Sequence, residues 1–199
     1  MNFLAHAYVS GDDPEILVGN FAGDFIKGRQ ALSGYPPGIA AGVMLHRAVD
    51  EYTDQHPVVR ASKNRLRAGY RHYAGVIVDV FYDHFLAARW TEFHPEPLAD
   101  FAASVYHTMN QYRSILPARF NHVLRYMTQG NWLLGYQSVQ GIRGALTGMA
   151  SRTTHASGME NAADDLEAHY EAFDDEFTRF FPDLIRFTTE WRTQTDPGN

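Results

Sequence analysis

The stretch "GVIVDVFYDHFLAARW", from Gly75 to Trp90, decides the fold class. Its first half is β-branched and aromatic and reads as a strand as readily as a helix. Length arbitrates, because about 16 residues without a breaker suit a helix better than a strand. The segment is apolar nearly all round, which places it at the centre of a bundle. Inside it sit Asp79, Asp83 and His84, with no lysine or arginine before Arg89. A buried carboxylate without a partner costs several kcal/mol or takes up a proton. The stretch therefore raises the question of a cation.

Outward from this segment the pattern stays helical. "PPGIAAGVMLHRAVDEYTDQ" opens on Pro36 and Pro37, which suit a first turn, and spaces Ile39, Val43, Leu45 and Val49 helically. Pro57 starts a second helix, "PVVRASKNRLRAGYRHY". Further helices read from "EPLADFAASVYHTMNQYRSIL", from "ARFNHVLRYMTQ" after Pro117, and from "NAADDLEAHYEAFDDEFTRFF". Pro182 is expected to begin a last short one. Residues 31–38 and 151–158 read as loops. The expectation is an all-α, single-domain helical bundle over residues 1–195, with a frayed tail at 196–199.

Composition narrows the chemistry. The 199 residues include no cysteine. Thiolate nucleophiles and cysteine metal sites are excluded, and any metal must be held by His, Asp and Glu, a donor set for Mn²⁺, Mg²⁺, Fe²⁺ or Zn²⁺. A net charge of −6 argues against a general nucleic-acid binder. No apolar run approaches the roughly 18 residues of a membrane-spanning helix. The first residues lack a basic region followed by a long apolar one, so no signal peptide is expected and a cytoplasmic location is the default.

Titratable residues interrupt several core-like segments. Asp79 and Asp83 are four apart and share a helix face, while His84 lies about 100° round from Asp83. His46 and Asp50 repeat the four-residue spacing in "HRAVD". Asp24 stands in "GNFAGDF", where Gly19 and Gly23 permit close backbone approach, and His6 interrupts "NFLAH". Each alone reads equally as a core hydrogen bond or a surface accident. Together they would repel unless a cation joined them, and only Arg47 supplies a fixed positive charge nearby. Arg47 reads either as a phosphate contact or as a partner of Asp50 or Asp24. There is no nucleophile elbow and no Walker-type loop. A metal that acidifies water and polarises a phosphoryl oxygen suits phosphoester hydrolysis.

The motifs "MNFLAHAYVS", "GNFAGDFIKG", "PPGIAAGVMLHRAVDEYTD", "DVFYDHFLAARW" and "GMASR", in this order, resemble the acyl carrier protein phosphodiesterase family. The resemblance runs from Met1 to about Phe181. It implies hydrolysis of the phosphodiester between a serine of holo-acyl carrier protein and 4'-phosphopantetheine. It also implies dependence on Mn²⁺ or Mg²⁺ and an outlying place in the HD phosphohydrolase superfamily, although the adjacent pair here is reversed, Asp83 then His84. Carried onto this chain, it implies Asp24, His46, Asp50, Asp79, Asp83 and His84 as the metal set. His6 and Arg47 then serve proton transfer and phosphate contact.

The partner so implied is acidic. A basic stripe at Arg60, Lys63, Arg67 and Arg71, spaced by three, four and four residues, is the expected dock. The competing readings are a metal phosphohydrolase of nucleotides or other small phosphodiesters, and a helical interaction module without metal. Oligomeric state is left open.

Overall fold

The computed structural model describes residues 1–28 and 30–195. Among them there is no β-strand. Twelve α-helices follow in order: α1 (Phe3–Tyr8), α2 (Pro14–Phe21), α3 (Pro37–Gln55), α4 (Pro57–Tyr70), α5 (Ala74–Ala88), α6 (Trp90–Phe93), α7 (Leu98–Gln111), α8 (Ala118–Gly130), α9 (Trp132–Gly135), α10 (Val139–Ala150), α11 (Ala162–Ala168) and α12 (Tyr170–Thr195). The tail expected at 196–199 lies outside the described residues.

Local chemistry sets the boundaries. Asp13 caps α2, its Oδ1 accepting from the backbone N–H of Glu15 at 2.8 Å and of Ile16 at 3.2 Å. Pro14, Pro37 and Pro57 occupy first turns, where a missing N–H costs nothing. α3 stops at His56, whose extended backbone is what the following Pro57 favours. Asn131, in the left-handed region at φ 42°, ends α8.

Helix α5 is central, as its apolar circumference requires. Ile77, Val78 and every residue from Val80 to Ala87 are buried, and α1, α4, α10 and α12 pack around it. One core cluster runs through the bundle from Leu4 to Leu184.

Three expectations are corrected. Pro182 does not start a helix but lies inside α12. Phe177, Phe180, Phe181 and Leu184 are all fully buried on both sides of it, so packing carries the helix across the lost hydrogen bond. The acidic segment expected as one helix divides at His169 into α11 and α12. Helices α9 and α10 form where no helix was read, in the glycine-rich "GNWLLGYQSVQGIRGALTGMA".

Candidate metal centre

The site begins with Asp83 holding a helix end. Its carboxylate is fully buried and accepts the backbone N–H of Leu4 at 2.7 Å and of Ala5 at 3.1 Å. Helix α1 has no side-chain cap of its own, so Asp83 satisfies first-turn donors from 78 and 79 residues away. Burial drives the Asp83 carboxyl up to about 7 against those two donors. This anchoring fixes α1 and with it His6.

Helices α2 and α3 cross at glycines. A Cβ on Gly19 would overlap the Ile39 carbonyl oxygen, and one on Gly42 would overlap that of Ile16. A Cβ on Gly23 would collide with the His46 ring. The close crossing brings Asn20 against two imidazoles. Asn20 Oδ1 lies 2.8 Å from His6 Nδ1, and the Asn20 carbonyl oxygen lies 2.8 Å from His46 Nδ1. The amide orientation is fixed, because Asn20 Nδ2 donates to the His6 carbonyl at 2.8 Å and to Ser10 Oγ at 3.0 Å. Both partners of the imidazoles are acceptors only, so each Nδ1 carries the proton and each Nε2 is bare.

The two rings stack with centroids 4.1 Å apart. His6 Nε2 lies 3.2 Å from Asp50 Oδ1, and His46 Nε2 lies 3.3 Å from Asp50 Oδ2. Both Nε2 atoms are buried and lack a hydrogen-bond partner. Ligand atoms of His6, His46 and Asp50 all fall within 4.8 Å of one another. Burial lowers His6 to about 4, so its ring is neutral at physiological pH. A bare nitrogen then faces a carboxylate oxygen, lone pair to lone pair. A divalent cation resolves that contact, and the all-N/O donors suit one.

Asp24 adds an exposed carboxylate, its Oδ1 3.5 Å from His46 Nε2. The Met1 amino group lies 3.3 Å from both Asp50 Oδ1 and Asp79 Oδ1. Burial alone would raise Asp50, but the Met1 amino group beside it draws the carboxyl down. For Asp79 burial prevails and raises the carboxyl. A cavity of about 240 Å³ opens here, lined by Asp24, Phe25, Asp79, Trp132 and Arg152 beside the two histidines.

The expected set is thus divided. His46, Asp50, Asp24 and Asp79 come together, and His6 joins them as a third member of the tight cluster. Asp83 is a helix anchor. His84 turns elsewhere: Nδ1 meets the Tyr136 carbonyl at 2.8 Å and Nε2 the Tyr170 hydroxyl at 3.0 Å. Neither lines the cavity. Arg47 does not line it either, and its guanidinium donates to the Ile26 carbonyl at 3.2 Å. Arg60 and Arg67 on α4 and Arg71 just past its end are exposed, but Lys63 is engaged with Asp54 at 2.5 Å, and none of the four lines the cavity. Asn20 and Arg152 were not expected at this candidate centre. The one available signal for Asn20 was an amide inside the apolar run "ILVGNFAG".

The model of the acyl carrier protein phosphodiesterase family matches residues 1–184. The chain belongs to the acyl carrier protein phosphodiesterase family. It is 35% identical over 189 residues to the acyl carrier protein phosphodiesterases of Escherichia coli O139:H28 (strain E24377A / ETEC) and Escherichia coli (strain K12 / DH10B), covering 93% of this chain and 96% of each relative. No solved structure matches the chain. Every residue placed at the metal centre, from His6 to Arg152, lies inside the span matched by the acyl carrier protein phosphodiesterase family.

Proposed function

We propose that this phosphodiesterase hydrolyses the bond between 4'-phosphopantetheine and the serine of holo-acyl carrier protein, releasing apo-carrier protein and the free arm, at a divalent metal held by His6, His46 and Asp50. The observation that carries this is the pair of buried imidazole Nε2 atoms without hydrogen-bond partners, aimed with Asp50 at one point. Mn²⁺ is the favoured ion and Mg²⁺ the second, in a bundle of HD type. Bound there, the ion supplies positive charge against the phosphoryl oxygens and acidifies a water.

The chain's own residues do the rest. Asn20 orients both rings and keeps their protons on Nδ1. Asp24 offers a further oxygen from the solvent side. Asp79 borders the cavity with a buried Oδ1 that lies 3.3 Å from the Met1 amino group, and burial raises its proton affinity, which suits it to take the proton of the attacking water. Arg152 is the arginine in the cavity wall and can hold a nonbridging phosphate oxygen, the role the sequence suggested for Arg47. His6, as a ligand, is not free to protonate the leaving serine.

The test is chelation and restoration. Protein stripped with EDTA should release no arm from holo-carrier protein, measured by mass spectrometry of the carrier. Added Mn²⁺ should restore release in the parent but not in Asp50→Asn. Undiminished release by the stripped protein would overturn the assignment.

A further inference from the structure

Between Asp100 and Glu160 the sequence holds five arginines, Arg113, Arg119, Arg125, Arg143 and Arg152, and no aspartate, glutamate or lysine. The whole chain carries 23 acids and a net charge of −6, so this segment is its one long acid-free region. It folds as α7 to α10, which pack on one another. Along α8 runs a groove of about 810 Å³, lined by Arg119, His122, Tyr126, Gln129, Trp132 and Arg152. The groove is continuous with the metal cavity, because Phe25, Val123, Trp132 and Arg152 line both. Arg119 and Arg125 are exposed, and among the described residues neither pairs with a carboxylate. The Arg125 guanidinium lies 5.4 Å over the Tyr126 ring, which is itself 46% exposed. Arg143 differs, being tied to Asp164 at 2.7 Å and Glu167 at 3.3 Å.

An unpaired Arg119 lining the groove with the exposed Tyr126, no acid in that lining, and a second unpaired arginine, Arg125, on the neighbouring face of α8 make a surface that an acidic protein recognises. The rest of this acidic molecule would repel such a partner once it came within the roughly 8 Å over which salt leaves charges unscreened. We propose that the α8 groove is the dock for the acidic surface of the carrier protein. Its rim charges orient the carrier, and the groove leads the phosphodiester past Trp132 and Arg152 into the metal cavity. This rests on the proposed reaction and replaces the α4 stripe as the docking face.

The experiment compares the parent with Arg119→Glu/Arg125→Glu in the full chain loaded with Mn²⁺. The reversal should raise KM for holo-carrier protein about tenfold and flatten its salt dependence, with kcat within about twofold. A KM and salt dependence matching the parent overturn the proposal, as does a rise confined to Arg60→Glu/Arg67→Glu. If circular dichroism shows the reversal misfolded, Arg119→Gln/Arg125→Gln takes its place, with a smaller rise expected and an unchanged KM overturning the proposal. Direct calorimetric binding of the carrier separates the two readings. A parent that binds carrier but releases no arm sinks the reaction and leaves the dock to the binding comparison. Equal binding by parent and double variant sinks the dock alone.

Discussion

Asn20 shows how much one residue can settle. Two of its oxygens, one from the side chain and one from the backbone, fix the protonation of two rings. That is why His6 and His46 present bare nitrogens to the same point. The state of His6 is testable in metal-free protein. Burial lowers it from 6.5 to about 4. The unfolded chain therefore binds the proton first as pH falls. Stability from a neutral His6 is fully present above about 6.5 and is lost as pH falls towards 4, amounting to about 3 kcal/mol on this shift. Imidazole nitrogen NMR should show His6 neutral and protonated on Nδ1 down to about pH 5. A midpoint near 6.5 would contradict the buried, desolvated ring. The four-residue spacing of His46 and Asp50 was legible in the sequence, because helix periodicity alone puts the two on one face. The roles of Asp83 and His84 were not. Neighbours on a helix diverge by about 100°, and their partners, the Leu4 amide and the Tyr136 carbonyl, lie 79 and 52 residues away.

At the scale of elements, α1 is six residues long and too short to stand alone. It exists because α5 holds its end. Asp83→Ala should therefore lower Mn²⁺ affinity about tenfold or more, although Asp83 does not reach the cavity. It should also speed amide hydrogen exchange at Leu4 and Ala5. Unchanged affinity measured by calorimetry would mean that α1 is held by its apolar contacts alone. Prolines at 37, 57, 97 and 117 made the starts of α3, α4, α7 and α8 readable. The ambiguous run of α5 resolved as a helix on length. Helices α9 and α10 escaped because glycines at 130, 135, 141, 144 and 148 depress helix propensity. Gly141 packs directly on the Gly135 backbone, a tertiary contact that no local pattern announces. Pro182 misled for the opposite reason, a breaker overridden by buried phenylalanines.

Over the whole molecule, the candidate metal centre and part of the bundle's stability rest on different side chains of the same stretch of α5, Asp79 and Asp83 for the one and Tyr82 for the other. Buried Glu176 of α12 accepts from Ser62 Oγ at 2.6 Å and Arg65 at 2.5 Å, while Ser62 Oγ lies 2.7 Å from the Tyr82 hydroxyl. This network joins α4, α5 and α12. Glu176→Ala removes the acceptor of both Ser62 and Arg65 and should cost about 3 kcal/mol, lowering Tm by about 10 °C in a chain of this size. Manganese affinity at 25 °C should stay within about twofold of the parent, because no member of the network touches the cavity. A parallel loss of both properties would show that α5 transmits strain from Tyr82 to the site.

The glycine crossing of α2 and α3 has a bearing on how such a sequence can drift. At Gly19 and Gly42 the obstructing atoms are main-chain atoms, which no rotamer change can move aside. Most positions around a metal accept trial exchanges, since neighbours can repack. Here any side chain wedges the helices apart and draws the Asn20 carbonyl off His46. Whatever the two histidines require is therefore required of two glycines outside the candidate ligand cluster, and a side chain at either should disturb the histidine pair as a unit.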